Sequence, residues 1–544
     1  MSTDDAARTP EFVTNRTAAS ERVAAGLVGL AVLTAIAGLL SLFTLIPVTA
    51  TVGGVTVATL FGLSLVVIGV GVLGYGAASA TGAVATDPSH TGGLLATVLY
   101  ALVWLVTGGL VAAQGLGLST LWPVVALLFG AGAGALALLV REDVGTTVPA
   151  GAFLLLAGLV VVSGLVGPGW EWSPEAFSVT LTPAVAVPAL TVVGGVVGGW
   201  TAARAYAGFG AIGRQKGAYA LVGANAAVML LLPGAIVALI VAKGAARLFQ
   251  GLEIGLFWGN WTWFYVPGLE EYVIFEGPIL WFYWPFVMEG ASLGPTANGV
   301  LPAIIGTVWV VAGAIVFAVP LGVGAAVFLT EYAEQGRFTG LVEVSTNGLW
   351  STPSIVYGLF GLAFLVPRIG NQSTLITGQL VLGFMLLPLV IITSRESLKS
   401  VPDEYRDASA ALGVSKWQTI RSVVLPAAVP GVITGIILGV GRIAGETAPI
   451  LLVMVSNPFP QRAVGVVQGG FAFTGQFPFV SLPAIDLVQS STALPYQLYA
   501  IITAGVGETQ AFGWATALVL LLVVMSFFAV GVGSRIYFRR KLNQ

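Results

Sequence analysis

The chain has 544 residues, of which 57% are hydrophobic and only 8% are charged, and its formal net charge is -2. Soluble globular proteins carry about 25% charged residues, so this composition predicts a protein that lies in a lipid bilayer. The absence of cysteine excludes disulfides, thiolate nucleophiles and cysteine-ligated metal sites. The single histidine, His90, has no second histidine or acidic cluster beside it, which argues against a metal site. We expect no cofactor and no nucleic-acid partner.

Apolar segments of membrane-spanning length follow one another along nearly the whole chain. Segments of about 20 apolar residues can cross the hydrocarbon core as helices, and these show no strand-like alternation. About twelve such spans are predicted. They lie at 23–46, 55–80, 94–117, 119–140, 148–168, 183–203, 218–242, 301–330, 348–367, 376–394, 427–455 and 512–534. The first is too long for a signal-peptide core, so we interpret it as a retained anchor. The sequence therefore predicts an all-α polytopic membrane protein.

Basic residues are concentrated in a few of the connections between these spans. Lysine and arginine are enriched in cytoplasmic connections, and with twelve spans every basic cluster falls on one side of the membrane. The clusters are Arg8, Arg16 and Arg22; Arg141; Arg204, Arg214 and Lys216; Arg395, Lys399, Arg406, Lys416 and Arg421; and Arg535, Arg539, Arg540 and Lys541. We therefore expect a multi-pass protein of the cytoplasmic (cell) membrane with both termini in the cytoplasm.

The chain divides near the basic connection at 204–216. A cytoplasmic tail, 1–22, precedes a membrane extension of about six helices at 23–210, and almost no charge lies inside these spans. The sequence indicates no role for this extension. Its Gly69–Gly74 segment matches GxGxxG, but it lies inside a span with no strand before it. Close helix packing therefore explains these glycines better than dinucleotide binding.

The second half, 218–540, contains two long segments that we predict to be outer loops rather than spans. The first, at 249–300, is rich in aromatic residues, namely Trp258, Trp261, Trp263, Phe264, Tyr265, Trp281, Phe282, Tyr283 and Trp284. Such residues are typical of a membrane–water interface and also of a surface that contacts a partner, and both interpretations stay open. The second segment, at 456–511, contains Pro458, Pro460, Gly469, Gly470 and Asp486 and is predicted to be an ordered loop.

A short polar stretch at 400–426 lies between two apolar segments and contains strong signals of local order. Asp403 is predicted to cap a first short helix, and Gly413 can adopt the positive φ that ends it. Ser415 is predicted to cap a second short helix, which Pro426 ends. A plain connecting loop does not need this much order. We therefore interpret residues 403–426, called the elbow below, as a docking surface.

The following span contains a ridge of small residues and a pair of opposite charges. Glycine recurs at every fourth position from Gly431 through Gly435 to Gly439, which predicts a helix-packing face. Arg442 and Glu446 are one helical turn apart and can pair. An unpaired charge at the bilayer centre costs at least about 2.5–3.5 kcal/mol. The two residues are therefore either a structural ion pair or charges that line or gate a transport path.

No motif of an enzyme active site is present. The sequence has no HExxH, no GxSxG and no glycine-rich phosphate loop followed by Lys-Ser or Lys-Thr, so we predict no catalytic residue. The missing phosphate loop matters most. If transport through this chain is driven by ATP, the ATP is hydrolysed on a separate polypeptide.

The elbow resembles the EAA loop of ABC-importer permeases, which has the pattern E-A-A-x3-G-x9-I-x-L-P. The matching residues are Asp407, Ala408, Ser409, Gly413, Val423, Leu425 and Pro426. Four further stretches, at 353–361, 415–421, 445–449 and 493–499, narrow the family. Together they resemble the A-type permease subunit of the phosphate-specific ABC importer (PstA-type), over about residues 218–540. The front half does not match that pattern.

This resemblance implies a six-helix, MetI-like permease core that pairs with a related C-type permease subunit. It implies ATPase subunits that dock on the seven elbow residues named above, and an external phosphate-binding protein that delivers inorganic phosphate. We assign Arg442, Glu446 and Thr447 to the candidate transport path or gate. The elbow would then transmit movement of the ATPase to the spans as rigid-body motion.

Three other functions stay open from the sequence. An ABC permease could carry another oxyanion such as molybdate, tungstate or sulfate, since the phosphate assignment depends on the resemblance alone. An ATPase-independent channel or carrier would predict more ionisable residues inside the spans or inverted repeats. A membrane scaffold without transport is suggested only by the charge-poor front half.

Overall fold

The computed structural model describes residues 19–542, apart from 168, 174–179, 258–260, 267–270, 277–278, 292–298, 335, 469–471, 474–479, 482 and 505–508. The chain divides into two compact units, Met1–Leu239 and Ile240–Gln544. The boundary falls inside a long helix, Gly210–Leu248. Both units are built mainly from apolar helices, as the composition predicts.

The first unit contains six helices and the first part of a seventh. They are α1 (Ala19–Leu42), α2 (Val57–Ala80), α3 (Leu94–Leu110), α4 (Trp122–Leu139), α5 (Glu142–Val162), α6 (Pro183–Tyr206) and α7 (Gly210–Leu248). A two-stranded turn, β1 (Thr51–Val52) and β2 (Val55–Thr56), precedes α2. The packing is nested, because α1 contacts α6, α2 contacts α5 and α3 contacts α4.

Glycines allow these helices to approach closely. A Cβ on Gly69 would lie 3.1 Å from the Gly151 carbonyl oxygen of α5, and one on Gly71 would lie 2.4 Å from a methyl of Leu27 in α1. The packing interpretation of the GxGxxG match is therefore confirmed for these two residues. Gly74, in contrast, has nothing within 4 Å of its Cβ position, so it is not part of that contact.

The second unit contains the remaining helices. They are α8 (Pro285–Met288), α9 (Leu301–Val327), α10 (Arg337–Ser351), α11 (Ser354–Phe360), α12 (Leu375–Lys399), α13 (Asp403–Ala411), α14 (Lys416–Thr419), α15 (Leu425–Ala444), α16 (Ala448–Val453), α17 (Leu494–Ala504) and α18 (Thr509–Leu542). Its central core lies where α9, α12 and α15 pack together, with Leu382, Leu386 and Ile443 almost fully buried.

Short antiparallel strand pairs occupy the two predicted loops. In the first loop, β3 (Glu253–Phe257) pairs with β6 (Ile279–Tyr283), and β4 (Trp261–Val266) pairs with β5 (Glu271–Glu276). In the second loop, β7 (Val467–Gln468) pairs with β10 (Ala484–Ile485), and β8 (Ala472–Phe473) pairs with β9 (Val480–Ser481). Trp258, Gly469 and Gly470 lie outside the described residues. The side chains of Trp261, Trp263, Phe264, Tyr265 and Trp281 lie outside them as well. Both interpretations of the aromatic stretch, a membrane–water interface and a surface that contacts a partner, therefore stay predictions.

Eleven helices among the described residues are long and apolar enough to cross a membrane. A bent pair, Arg337–Ser351 and Ser354–Arg368, makes the number twelve if it counts as one span. The predicted all-α polytopic fold is thus confirmed. The predicted span at 348–367 falls on this bent pair, whose two helices meet at 100°. Pro353 explains the break, since a proline pushes the preceding residue out of the helical region and Thr352 is extended, with φ -67° and ψ 132°.

Candidate functional site

The elbow forms two short helical segments, α13 and α14, joined at Gly413. The φ of Gly413 is +71°, as the sequence predicts. The amides of Gly413 and Val414 donate to the carbonyls of Ala410 and Ser409, which is the hydrogen-bond pattern of a glycine-terminated helix. Ser415 caps α14 in a reciprocal capping box with Gln418. These local features of the elbow are confirmed.

Two expectations about the ends of the elbow helices are wrong. Pro402 rather than Asp403 occupies the N-cap position of α13, and no side chain caps the helix. The Asp403 carboxylate instead accepts a hydrogen bond from Arg406 at 3.0 Å. Pro426 does not end the second helix. The chain continues through a π-helical turn, Ile420–Val424, into α15, where Pro426 lies in the first turn. Proline has no amide hydrogen to donate, and it is tolerated in a first turn, where that donor has no intrahelical partner.

Arg406 ties the elbow to the end of α9. Its Nη2 donates to Glu331 Oε1 at 2.8 Å, and its Nε lies 3.4 Å from Glu331 Oε2. The same guanidinium donates to the carbonyls of Val401 and Leu398. The Glu331 side chain is only 7% exposed. Hydrogen bonding to Glu331 raises the pKa of Arg406 above its ordinary value, so Arg406 stays charged.

The second elbow helix contacts Tyr332, the residue after Glu331. Lys416 Nζ lies 5.1 Å from the centroid of the Tyr332 ring, within the range of a cation–π contact. Further along the chain, Ile420 and Val424 are almost fully buried in a cluster with Ala326 and Val327 of α9 and with neighbouring residues of α12 and α15. Both halves of the elbow are therefore fixed to the turn at 331–332. The sequence analysis used Arg406 only to orient the chain and did not identify Glu331.

The other face of the elbow is open. Leu412 is 82% exposed and Trp417 is 56% exposed, and Asp407 and Ala408 of the predicted coupling set are exposed as well. Such exposure of large apolar side chains beside charged ones is a feature of interaction surfaces. The structure therefore gives the elbow one anchored face and one free face.

The remaining residues of the coupling set face inward. Ser409 is 8% exposed, and its hydroxyl donates to the Tyr405 carbonyl at 2.9 Å. Val423, in the π-helical turn, and Leu425 and Pro426, at the start of α15, are half-buried. Of the seven predicted residues, only Asp407, Ala408 and Gly413 lie on the exposed side. The other four support the elbow from within.

The glycine ridge of α15 packs on α12. A Cβ on Gly431 would lie 2.5 Å from the Ser397 hydroxyl, one on Gly435 would lie 2.0 Å from the Thr393 hydroxyl, and one on Gly439 would lie 2.2 Å from a methyl of Leu386. No side chain larger than hydrogen fits these positions without movement of α12. The predicted packing face is confirmed.

Arg442 lies near the end of α15 and contacts two residues. Its Nε is 3.9 Å from Glu446 Oε1, and the two side chains are 34% and 17% exposed. Its guanidinium carbon lies 4.1 Å from the centroid of the Trp350 ring. The predicted pairing of Arg442 with Glu446 is thus present, although the distance exceeds that of a hydrogen bond. Thr447 is half-buried and is the residue before α16.

The first unit contains a buried ion pair that the sequence analysis did not predict. Glu142 and Arg204 are 0% and 1% exposed and form a salt bridge through Oε1 and Nη2. Glu142 also accepts from the amides of Ser89 and Gly210, both at 3.0 Å. Both residues lie outside the predicted spans 148–168 and 183–203, so the expectation of almost no charge inside those spans stays a prediction. The first turn of α5 and the last turn of α6 are nevertheless packed inside the unit.

A second polar group lies next to this pair. Asp143, also 0% exposed, accepts from Arg141 Nε at 2.9 Å and from the Ser79 hydroxyl at 2.8 Å. Ser79 and Thr86 share a further hydrogen bond at 2.6 Å. The charges of this unit are thus surrounded by hydrogen-bond partners from several helices, as buried charges require.

Comparison with known proteins agrees with these features. The family of binding-protein-dependent transport system inner membrane components matches residues 318–542. A probable ABC transporter permease protein, YqgI of Bacillus subtilis, is 30% identical over 279 residues, which are 51% of this chain and 91% of the relative. The phosphate transport system permease protein PstA of Haemophilus influenzae is 30% identical over 302 residues, which are 54% of this chain and 94% of the relative. PstA 1 of Mycobacterium tuberculosis (strain H37Rv) is 40% identical over 172 residues, which are 32% of this chain and 56% of that protein.

The proteins that match this chain are membrane permease components, which are transport subunits rather than enzymes. The chain belongs to the ABC-transporter permeases of the PstA type. The family match begins within α9, so it includes the elbow, the glycine ridge and Arg442. The predicted family is confirmed.

Proposed function

We propose that this chain is the permease subunit of an ATP-driven importer of inorganic phosphate, with the elbow as the coupling site for a separate ATPase. A related C-type permease subunit and an external phosphate-binding protein complete the transporter. In this proposal residues 218–540 form the transport core, and residues 23–210 form an extension outside the transport mechanism. The elbow and both termini then lie in the cytoplasm.

The geometry of the elbow is the observation that carries this proposal. Its inner face is fixed to Glu331 by hydrogen bonds from Arg406, while its outer face exposes Leu412 and Trp417. A surface that is free on one side and rigidly joined to two spans on the other is suited to transmit the movement of a docked partner. The similarity to PstA proteins supports phosphate as the cargo.

The decisive experiment reconstitutes the full chain in liposomes with its ATPase, partner permease and binding protein. Phosphate should stimulate ATP hydrolysis and accumulate inside the vesicles. Sulfate, molybdate and tungstate are tested in parallel, and stimulation by one of these anions in place of phosphate would correct the cargo but keep the class. Transport of phosphate without any ATPase would instead favour a channel or carrier.

Exchanging the charges of Arg442 and Glu446 tests whether this pair belongs to the transport path. Arg442→Glu with Glu446→Arg keeps two opposite charges but moves the positive charge from the last turn of α15 into the connection between α15 and α16. If Arg442 interacts with the transported anion, the exchanged protein should fold and assemble but lose phosphate uptake. Uptake near the wild-type rate would make the pair purely structural.

A further inference from the structure

Arg442 is bound differently from Arg395 and Arg406 of the same unit. Arg395 and Arg406 both donate hydrogen bonds to a glutamate. The Arg442 side chain donates no hydrogen bond within the part of the chain that the structure describes. Its nearest carboxylate oxygen, on Glu446, is 3.9 Å away, and the ring of Trp350 lies over its guanidinium carbon at 4.1 Å. The charge is therefore held mainly by an aromatic ring.

A guanidinium that packs against a ring keeps its hydrogen-bond donors available. The five N–H donors of arginine lie in the plane of the guanidinium group. A cation–π contact depends on the positive charge over the face of an aromatic ring and not on these donors. Trp350 can therefore stabilise the positive charge without occupying the donors, and the side chain remains 34% exposed. Planar donors of this kind match the oxygens of a tetrahedral oxyanion, which a lysine ammonium does not reproduce.

The position of Trp350 depends on the break between α10 and α11. Trp350 lies at the end of α10, just before the 100° bend. The hydroxyl of Tyr357 donates across the bend to the Leu349 carbonyl at 2.9 Å. Beyond the bend, Gly358 packs so closely on α16 that a Cβ there would lie 2.9 Å from Pro449 Cα. The broken helix thus contacts Arg442 through Trp350. It also contacts α16, which follows Glu446 and Thr447, through Gly358.

We propose that Trp350 is a positioning residue for transport, which holds Arg442 by its charge and leaves the guanidinium donors open to the transported oxyanion. This inference rests on the proposed function of Arg442 in the transport path. It adds that the broken helix, and not only the pairing with Glu446, determines where the positive charge is presented. An aromatic ring is required at position 350, and an apolar side chain of similar bulk does not replace it.

The test measures phosphate transported per ATP hydrolysed in the complete reconstituted transporter. This ratio does not depend on the fraction of folded protein, because both rates fall together when protein is lost. Trp350→Leu should lower the ratio by about fivefold or more, the size expected for a lost cation–π contact in a partly desolvated site. Trp350→Phe keeps a ring and should lower it by less than about twofold. Arg442→Lys should lower it at least as far as Trp350→Leu.

Trp309→Leu is the matched control, because Trp309 is also half-buried and, among the described residues, no cation lies over its ring. It should leave the ratio unchanged. An unchanged ratio for Trp350→Leu, an equal fall for Trp309→Leu, or an equal fall for Trp350→Phe would overturn the inference. If the wild-type protein carries another oxyanion, the cargo in the proposed function is wrong, and the same ratio measured with that anion still decides the role of Trp350.

Discussion

The two units of this chain place their charges in different surroundings. In the first unit, Glu142 and Arg204 are at most 1% exposed, and Glu142 accepts hydrogen bonds from Arg204 and two backbone amides. In the second unit, Arg442 keeps 34% exposure, and its guanidinium lies near Glu446 and over the ring of Trp350. Arg406 lies between these cases, with a buried glutamate on one side and 23% exposure.

This difference separates structural charges from candidate functional ones. A buried ion pair costs desolvation and is stable only when it remains intact, so it suits a part of the protein that keeps one conformation. A charge with few partners and some exposure can exchange them for a ligand or for a second conformation. If transport depends on the second unit, as proposed above, removal of charges from the two units should have different effects.

The largest expected effect comes from breaking the buried pair. Arg204→Ala leaves Glu142 buried and without its charge partner, which should destabilise the first unit by about 3–5 kcal/mol. Thermal unfolding in detergent measures the loss, and Arg214→Ala, which removes an exposed arginine of the same unit, should change little. Transport per folded molecule should stay near wild type. Unchanged stability of Arg204→Ala would contradict the structural role of the pair.

Removal of the elbow anchor should have a smaller effect on stability but a clear effect on coupling. Arg406→Ala removes the hydrogen bonds to Glu331 and should cost about 2 kcal/mol, a value discounted for the partial exposure of Arg406. We expect the ATPase to copurify while substrate-stimulated ATP hydrolysis falls. Arg421→Ala, an exposed arginine of the same elbow, is the control. Equal hydrolysis by both variants would show that the anchor is not needed for coupling.

The smallest expected effect comes from the turn inside the elbow. Gly413→Ala places a side chain at φ +71°, which should cost about 1–2 kcal/mol although the space around its Cβ is open. Gly324→Ala adds the same atom in open space without a positive φ and serves as control. Uptake should fall for Gly413→Ala alone. Equal uptake by the two variants would mean that the elbow does not require a glycine at position 413.

Much of this protein follows from short segments of its sequence. The spans follow from runs of apolar residues, and the elbow turn follows from Gly413 and from the capping pair Ser415 and Gln418. Each of these features depends on residues within a few positions of one another. The family likewise follows from local motifs, because the residues of the elbow have the spacing of the EAA loop.

The tertiary structure alone decided which distant residues meet. Arg204 and Glu142 are 62 residues apart, and Arg406 and Glu331 are 75 residues apart, so their contacts depend on how whole helices pack. The same holds for Trp350 and Arg442, which meet because α10 and α11 bend by 100°. Periodicity and caps identify a helix but do not determine its neighbours, since apolar spans of similar composition can pack in many ways. The partners of the charges are therefore properties of the folded chain.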